Sequence, residues 1–292
     1  MGLVRGARSW DDGVVAASRP VKRMAIVLGI MVASYAVLCL VARLAYPRLL
    51  FPAPRLDSAP PVEDTTARVV DLPHPDGSRA VALHYPAPDG ARTVVVFHGN
   101  GETMFDNVGH AIELNRRGLG VLLVEYRGYG TIHGPAPSES MIYEDAEAAI
   151  AYLAREQVPA ERVALWGWSL GSGVAAEMAR RGHGSRLVLL SPFTSITDMG
   201  RRLAPILPVS LLMTHRFDTL SKAPHIEQPT LVIHGDADEL IPLAMGEAVA
   251  RALPHGKLVP VLGGHHADLL YTETGRPGAR ELYDLVAAHL AR

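Results

Sequence analysis

The residues whose types and spacing could do chemistry lie in the stretch Gly167-Trp168-Ser169-Leu170-Gly171. The apolar run Arg162 to Trp166 precedes it and reads as a buried strand; Ser172 to Arg180 follows and reads as a helix. Strand, G-x-S-x-G and helix together form the context of a nucleophile elbow. A turn this tight brings backbone atoms to where a side chain would clash, and glycine has none. The serine at the apex would expose its hydroxyl. The start of the helix would aim free backbone N–H groups at the same space. The chemistry would be acyl transfer through a serine nucleophile. A serine hydroxyl is weak at its own pKa, so it needs a base within hydrogen-bond reach and an acid to orient that base.

Candidates for both partners lie further along the chain. Asp236, Asp238 and Glu239 fall in His234 to Pro242, directly after the apolar run Thr230 to Ile233. His265 and His266 follow the run Lys257 to Leu262. Each group alone has an ordinary reading: carboxylates after a strand often cap turns or helices. Serine, acid and histidine, each after a strand and in that order, follow the sequence of α/β-hydrolases.

These residues need a scaffold, and the hydrophobic periodicity supplies one. Val69 to Leu72 and Ala80 to Tyr85 read as a hairpin-like pair around Pro75-Asp76-Gly77. Thr93 to Phe97 is a β-branched run of the kind buried on both faces of a sheet. Further strands are expected at Gly120 to Glu125, Arg162 to Trp166, Leu187 to Leu190, Thr230 to Ile233 and Lys257 to Leu262. Helices are expected at Thr103 to Arg117, Ser138 to Glu156, Leu243 to Ala252 and Ala279 to Leu290. Strands alternating with helices predict an α/β fold, a mostly parallel central sheet with helices on both faces. Ligands then gather at the carboxyl ends of the strands, where the serine, acid and histidine candidates sit.

From about Val62 onward the chain resembles the α/β-hydrolase superfamily. Within it, the chain is similar to membrane-anchored proteins with a serine-aminopeptidase-like hydrolase domain. The matching pieces are His98-Gly99-Asn100-Gly101, Glu125 to Gly130, the elbow, Ser191 to Ser195, the His234-Gly235-x-x-Asp238-x-x-Ile241-Pro242 loop and His266-x-Asp268. The resemblance implies Ser169 as nucleophile, Asp238 as acid and His266 as base. Asp236 then reads as a turn residue, and His265 takes a position that is usually small. It also implies an oxyanion hole made by the backbone N–H groups of Leu170, just after the nucleophile, and Asn100. His98 is expected to pack beneath the loop. Arg127, Asp145 and Asp268 are expected to be structural, with Arg127 holding a glycine turn through backbone carbonyls.

The N-terminal part reads differently. Residues 1 to 23 are polar and carry Arg5, Arg8, Arg19, Lys22 and Arg23, so a flexible tail is expected. Met24 to Ala42 carries no charge and, at about 1.5 Å per residue, is long enough to cross a hydrocarbon core of about 30 Å. No small-x-small cleavage site follows it. The expectation is an uncleaved transmembrane signal anchor over residues 24 to 46. Basic residues before the span outnumber those just after it, which places the N-terminus in the cytoplasm and the catalytic domain outside. Residues 47 to 65, with Pro47, Pro52, Pro54, Pro60 and Pro61, are expected to form a stiff linker to a catalytic domain over 66 to 292.

Composition narrows the function. The formal net charge is −2, and no basic stripe marks a nucleic-acid surface. The single cysteine, Cys39, lies in the apolar run and rules out a disulfide framework or a cysteine-rich metal site. No metal motif appears, and no glycine fingerprint for a dinucleotide, so no cofactor is expected. The apolar stretch Leu203 to Met213 is placed where these folds insert a lid, and is too short for a cap domain. It reads either as an apolar lip for an acyl chain or as a helix packed on the core; the anchor favours a small or lipid-like acyl ester or thioester as substrate. An aminopeptidase would need a carboxylate cluster for a free amine, and a silent membrane-tethered binding module would be expected to lack a triad member. Neither feature is found. Oligomeric state leaves no mark on the sequence.

Overall fold

The computed structural model describes residues 12–62, 66–270 and 278–292. It divides into two compact units, Met1–Tyr46 and Pro47–Arg292. The first unit carries most of helix α1, Asp12–Leu50. The helix extends beyond the uncharged run on both sides, so the stretch expected as an irregular tail is helical from Asp12; residues 1–11 lie outside the described residues. Its segment Pro20–Leu50 is long and apolar enough to cross a membrane, and its most apolar part is exposed. A helix apolar all round has no stable place in water unless lipid or protein covers it.

The second unit is built on an eight-stranded sheet in the order β1-β2-β4-β3-β5-β6-β7-β8. The strands are β1 Arg68–Pro73, β2 Arg79–Tyr85, β3 Thr93–Phe97, β4 Gly120–Glu125, β5 Val163–Trp168, β6 Leu187–Leu190, β7 Thr230–Gly235 and β8 Gly256–Val261. β1 and β2 pair antiparallel, β2 runs antiparallel to β4, and every other pairing is parallel. From β3 the chain moves to β4 on one side and later to β5 on the other. That reversal opens a crevice at the carboxyl ends of β3 and β5.

Side-chain alternation sorts the core into two layers. Val95, Phe97, Leu165 and Leu189 face one layer with α3 (Glu139–Arg155), α4 (Leu170–Arg180) and α8 (Leu243–Ala252). Val94, Val96, Trp166 and Leu190 face the other, with α2 (Val108–Arg116) and α9 (Ala279–Ala291). Both faces being buried explains why the central strands are nearly continuous apolar runs. Three short helices, α5 Ile196–Leu203, α6 Val209–Leu212 and α7 Thr219–Lys222, occupy the connection from β6 to β7.

Three local departures from the sequence expectations have physical causes. β5 extends through Gly167 and Trp168, because Gly167 pairs with Leu189 and Trp168 with Leu190 on β6. The helix expected from Thr103 starts as a 3-10 turn, Met104–Asn107, where Asp106 Oδ2 accepts from both the backbone N–H (2.7 Å) and the hydroxyl (2.8 Å) of Thr103. The stretch expected as a stiff linker is docked on the domain from Phe51 to Leu56. Phe51 is 5 % exposed and packs edge-on against His215 and Phe217. Gly130 N–H donates to Pro54 O at 2.7 Å, and Leu56 N–H donates to Gly130 O at 2.9 Å. Residues 63–65 lie outside the described residues.

Candidate active site

The elbow follows from close backbone packing. A Cβ on Gly167 would stand 2.1 Å from Gly171 O, and one on Gly171 would stand 2.0 Å from Phe97 O. Only glycine fits either place, so the strand can turn sharply into α4 with Ser169 at the corner. Ser169 holds φ +50° and ψ −116°, a conformation that costs a non-glycine residue about 1–3 kcal/mol. Neighbouring hydrogen bonds hold it there. Its N–H donates to Leu190 O at 3.0 Å, and Ser172 donates to Ser169 O from its backbone N–H (2.9 Å) and its hydroxyl (2.6 Å).

Two loops bring the acid and histidine candidates over this corner. Asp238 follows β7. Its Oδ1 accepts from the N–H groups of Leu240 at 3.0 Å and Ile241 at 2.7 Å. Its Oδ2 lies 2.8 Å from Nδ1 of His266. Burial works to raise the Asp238 pKa, but the His266 ring and the Ile241 N–H outweigh it and hold the carboxyl below its ordinary value. The other His266 nitrogen, Nε2, is 3.0 Å from Ser169 Oγ. A carboxylate can only accept, so Nδ1 carries the proton, which leaves Nε2 free to accept the one on Ser169.

The remaining candidates take other places. His265 is exposed, and its Nδ1 faces Glu239 Oε2 at 3.2 Å, while His266 N–H reaches the same oxygen at 3.4 Å. Asp236 accepts from Gly263 N–H at 2.6 Å, which ties the acid loop to the histidine loop. Asp268 Oδ1 accepts from His265 N–H at 2.9 Å. Both aspartates therefore shape the loops, as expected. Arg127 makes one bond to a backbone carbonyl, Met141 O at 3.2 Å. Its other side-chain bonds go to Asp145 Oδ1 and Glu144 Oε2, each at 2.6 Å, and to Ser78 Oγ at 3.0 Å, and its backbone N–H donates to Asp145 Oδ2 at 2.8 Å. The turn it serves is held by carboxylates more than by carbonyls.

The two expected oxyanion donors sit at the ends of adjacent strands. Leu170 opens α4 after β5, and Asn100 lies in the loop after β3. Neither backbone N–H meets an acceptor among the described residues. The Asn100 side chain accepts from Tyr129 OH at 3.1 Å.

Two residues near the site escaped the sequence reading as anything more than motif members. His234, fully buried, donates from Nε2 to Ile241 O at 2.8 Å, with Asp238 Oδ2 at 3.5 Å. Burial pushes its pKa down, so it stays neutral behind the acid. Glu125, fully buried at the end of β4, pairs with His98 at 3.1 Å. A carboxylate closing an apolar strand was the available signal.

Known proteins resemble the chain to different depths. The family described as serine aminopeptidase, S33, matches residues 88–217. An uncharacterized protein of Mycobacterium tuberculosis is 34% identical over 180 residues, 60% of this chain and 64% of that relative. The α/β-hydrolase domain-containing protein aho-3 of Caenorhabditis elegans is 34% identical over 164 residues, 52% of this chain and 48% of its own length. The chain thus spans less than two thirds of these relatives. An esterase of Pyrococcus furiosus superposes with a TM-score of 0.63 at 19% identity, over 82% of this chain and 98% of that one. At that identity the likeness concerns the fold alone.

Proposed function

Since the chain is an α/β-hydrolase, we propose that it is a membrane-anchored serine hydrolase that cleaves carboxylic ester or thioester bonds through an acyl-Ser169 intermediate. One observation carries this reading: His266 bridges Ser169 and Asp238 at 3.0 and 2.8 Å. His266 takes the Ser169 proton as Oγ attacks the acyl carbon. Asp238 holds the ring in the required tautomer and offsets its positive charge. The carbonyl oxygen becomes an oxyanion facing the N–H groups of Leu170 and Asn100, each worth about 3 kcal/mol at the transition state. Collapse breaks the bond to the alcohol or thiol, which leaves with the proton from His266. Water, deprotonated by the same histidine, then attacks the acyl carbon; the acid departs and Ser169 regains its proton.

Two features support an apolar acyl group. Leu203, Ile206 and Leu211 are each more than 70 % exposed on the connection that leaves the carboxyl end of β6. The apolar helix α1 would keep the domain beside a lipid surface, its N-terminus cytoplasmic and the domain on the far side. The matched family description favours a second reading, a serine aminopeptidase or amidase. Such an enzyme needs a carboxylate for the substrate amine. The exposed Glu239, beside the histidine loop, is engaged by His265 and the His266 N–H.

The test is covalent labelling of the detergent-solubilised protein with a fluorophosphonate, followed by peptide mapping. Label on Ser169 that disappears in His266→Ala supports the proposal. Absence of label on folded protein refutes it and favours a silent binding module. Turnover of p-nitrophenyl esters against aminoacyl p-nitroanilides then separates esterase from peptidase.

A further inference from the structure

A buried ionisable pair lies beneath the loop that carries Asn100. His98 is 1 % exposed and Glu125 is fully buried. Groups like these are costly in a core unless they satisfy each other. His98 Nδ1 is 2.8 Å from Gly99 O, and a carbonyl only accepts, so Nδ1 carries a proton. Nε2 faces Glu125 Oε1 at 3.1 Å, while Glu125 Oε2 accepts from Met104 N–H at 3.2 Å. Burial opposes a charge on His98, but the Glu125 carboxylate and the Gly99 carbonyl outweigh it and raise its pKa. The ring cannot swing away. Tyr126 lies against it with centroids 4.2 Å apart, and Tyr129 meets it edge-on at 5.4 Å.

The carbonyl of Gly99 and the N–H of Asn100 belong to one peptide group. That group is planar and trans, so the two point in opposite directions. A grip on the carbonyl from below therefore turns the N–H outward. The N–H of Gly99 is already committed to Glu102 Oε2 at 2.9 Å, so Asn100 supplies the next donor of the loop.

We propose that Glu125 and His98 are positioning residues: Glu125 orients the His98 ring, and His98 holds the Gly99–Asn100 peptide so that the Asn100 N–H faces the reacting carbonyl. This assignment rests on the acyl-transfer reading of the site. Without the grip the peptide can rotate and present a carbonyl oxygen to a developing oxyanion, which repels it.

The test compares full-length protein carrying two paired substitutions. His98→Leu with Glu125→Leu removes the grip and both members of the buried ionisable pair together, and with them the acceptor of the Met104 N–H. His98→Asn with Glu125→Gln restores an N–H donor near the position of Nδ1. Crystal structures report the peptide orientation, and p-nitrophenyl ester kinetics report kcat and KM. The leucine pair is expected to show a rotated peptide and a kcat about 100-fold lower, the loss typical of one oxyanion donor. Its KM should stay within about threefold of wild type, because the donor acts mainly in the transition state. The Asn/Gln pair should keep the peptide in place and recover most of kcat. An unmoved peptide in the leucine pair, or an equal kcat loss in both pairs, overturns the proposal. If the leucine pair does not fold, Glu125→Leu alone is read by the same two outcomes. If wild-type protein takes no fluorophosphonate label and hydrolyses neither ester nor anilide, the acyl-transfer reading fails. Peptide orientation alone then decides: rotated in the leucine pair and held in the Asn/Gln pair supports the grip, and any other pattern overturns it.

Discussion

The carbonyl oxygen of Phe97 occupies the space that a side chain on Gly171 would need, 2.0 Å from where its Cβ would stand. The end of β3 and the start of α4 are therefore in direct backbone contact. His98 O closes the same space at 2.7 Å. The loop holding Asn100 and the helix opened by Leu170 thus share one wall.

Gly171→Ala should destabilise the protein by about 3 kcal/mol, at the upper end for overpacking, because both obstructing atoms are backbone. Gly109, inside α2, has nothing within 4 Å of where a Cβ would stand and keeps a negative φ. Gly109→Ala should therefore raise stability by about 0.5–1 kcal/mol. Thermal melts of the two variants beside wild type check both signs. Equal behaviour would mean that the contact with Phe97 is not rigid.

Adjacent histidines should behave very differently. His266→Ala and Ser169→Ala are each expected to lower ester kcat by about 10⁴-fold or more. His265→Ala removes only an exposed contact to Glu239 and should change kcat by less than about threefold. Steady-state kinetics of the three variants would expose a wrong choice of base if His265→Ala proved the damaging one.

Glu177 on α4 links Arg180 at 2.6 Å, Arg181 at 2.8 Å and Lys222 at 3.0 Å. Burial works to raise its pKa, but hydrogen bonds from the three cations overcome this and bring it down to about 2. The folded value is thus below the unfolded one. The stabilisation is complete above the ordinary carboxylate pKa of about 4.3 and is lost as pH falls from there to about 2. Glu177→Gln should flatten the fall of melting temperature across that window and lower it at neutral pH. A variant whose melting curve parallels wild type from pH 6 to 2 would contradict this.

Phe51 should count as a core residue of the hydrolase domain. Its ring meets His215 at 5.2 Å and Phe217 at 6.2 Å. Phe51→Ala is expected to cost about 3–4 kcal/mol. Pro52→Ala, at an exposed position on the same segment, should cost little. Denaturant titration of both variants distinguishes a docked strap from a free linker, for which neither change would matter.

Much of the site was legible because its signals are local. The glycines around Ser169 and the β-branched run Thr93 to Phe97 declare a tight turn and a buried strand by residue type alone. The order of serine, acid and histidine needs only chain position. Residues 47 to 65 were read as a stiff linker because a proline-rich stretch has the same composition whether free or docked. Glu125 went unassigned because a strand-end carboxylate looks solvated until the strands beside it bury it.

The sequence by itself determined the α/β alternation, the elbow and the small set of carboxylates and imidazoles able to serve it. Hydrophobic period, glycine placement and chain order depend on neighbouring residues, so they survive without coordinates. The family resemblance already pointed to His266 and Asp238 over His265 and Asp236; only the tertiary structure gave their geometry, with His266 between Ser169 and Asp238. Residues one or two positions apart in a turn point in different directions. Those directions are set by bonds between distant loops, Asp236 to Gly263 across 27 positions and Asp238 to His266 across 28. Packing likewise decided that His98 and Glu125 meet. Each lies at the end of a separate strand, and parallel pairing of β3 with β4 is what brings those ends side by side.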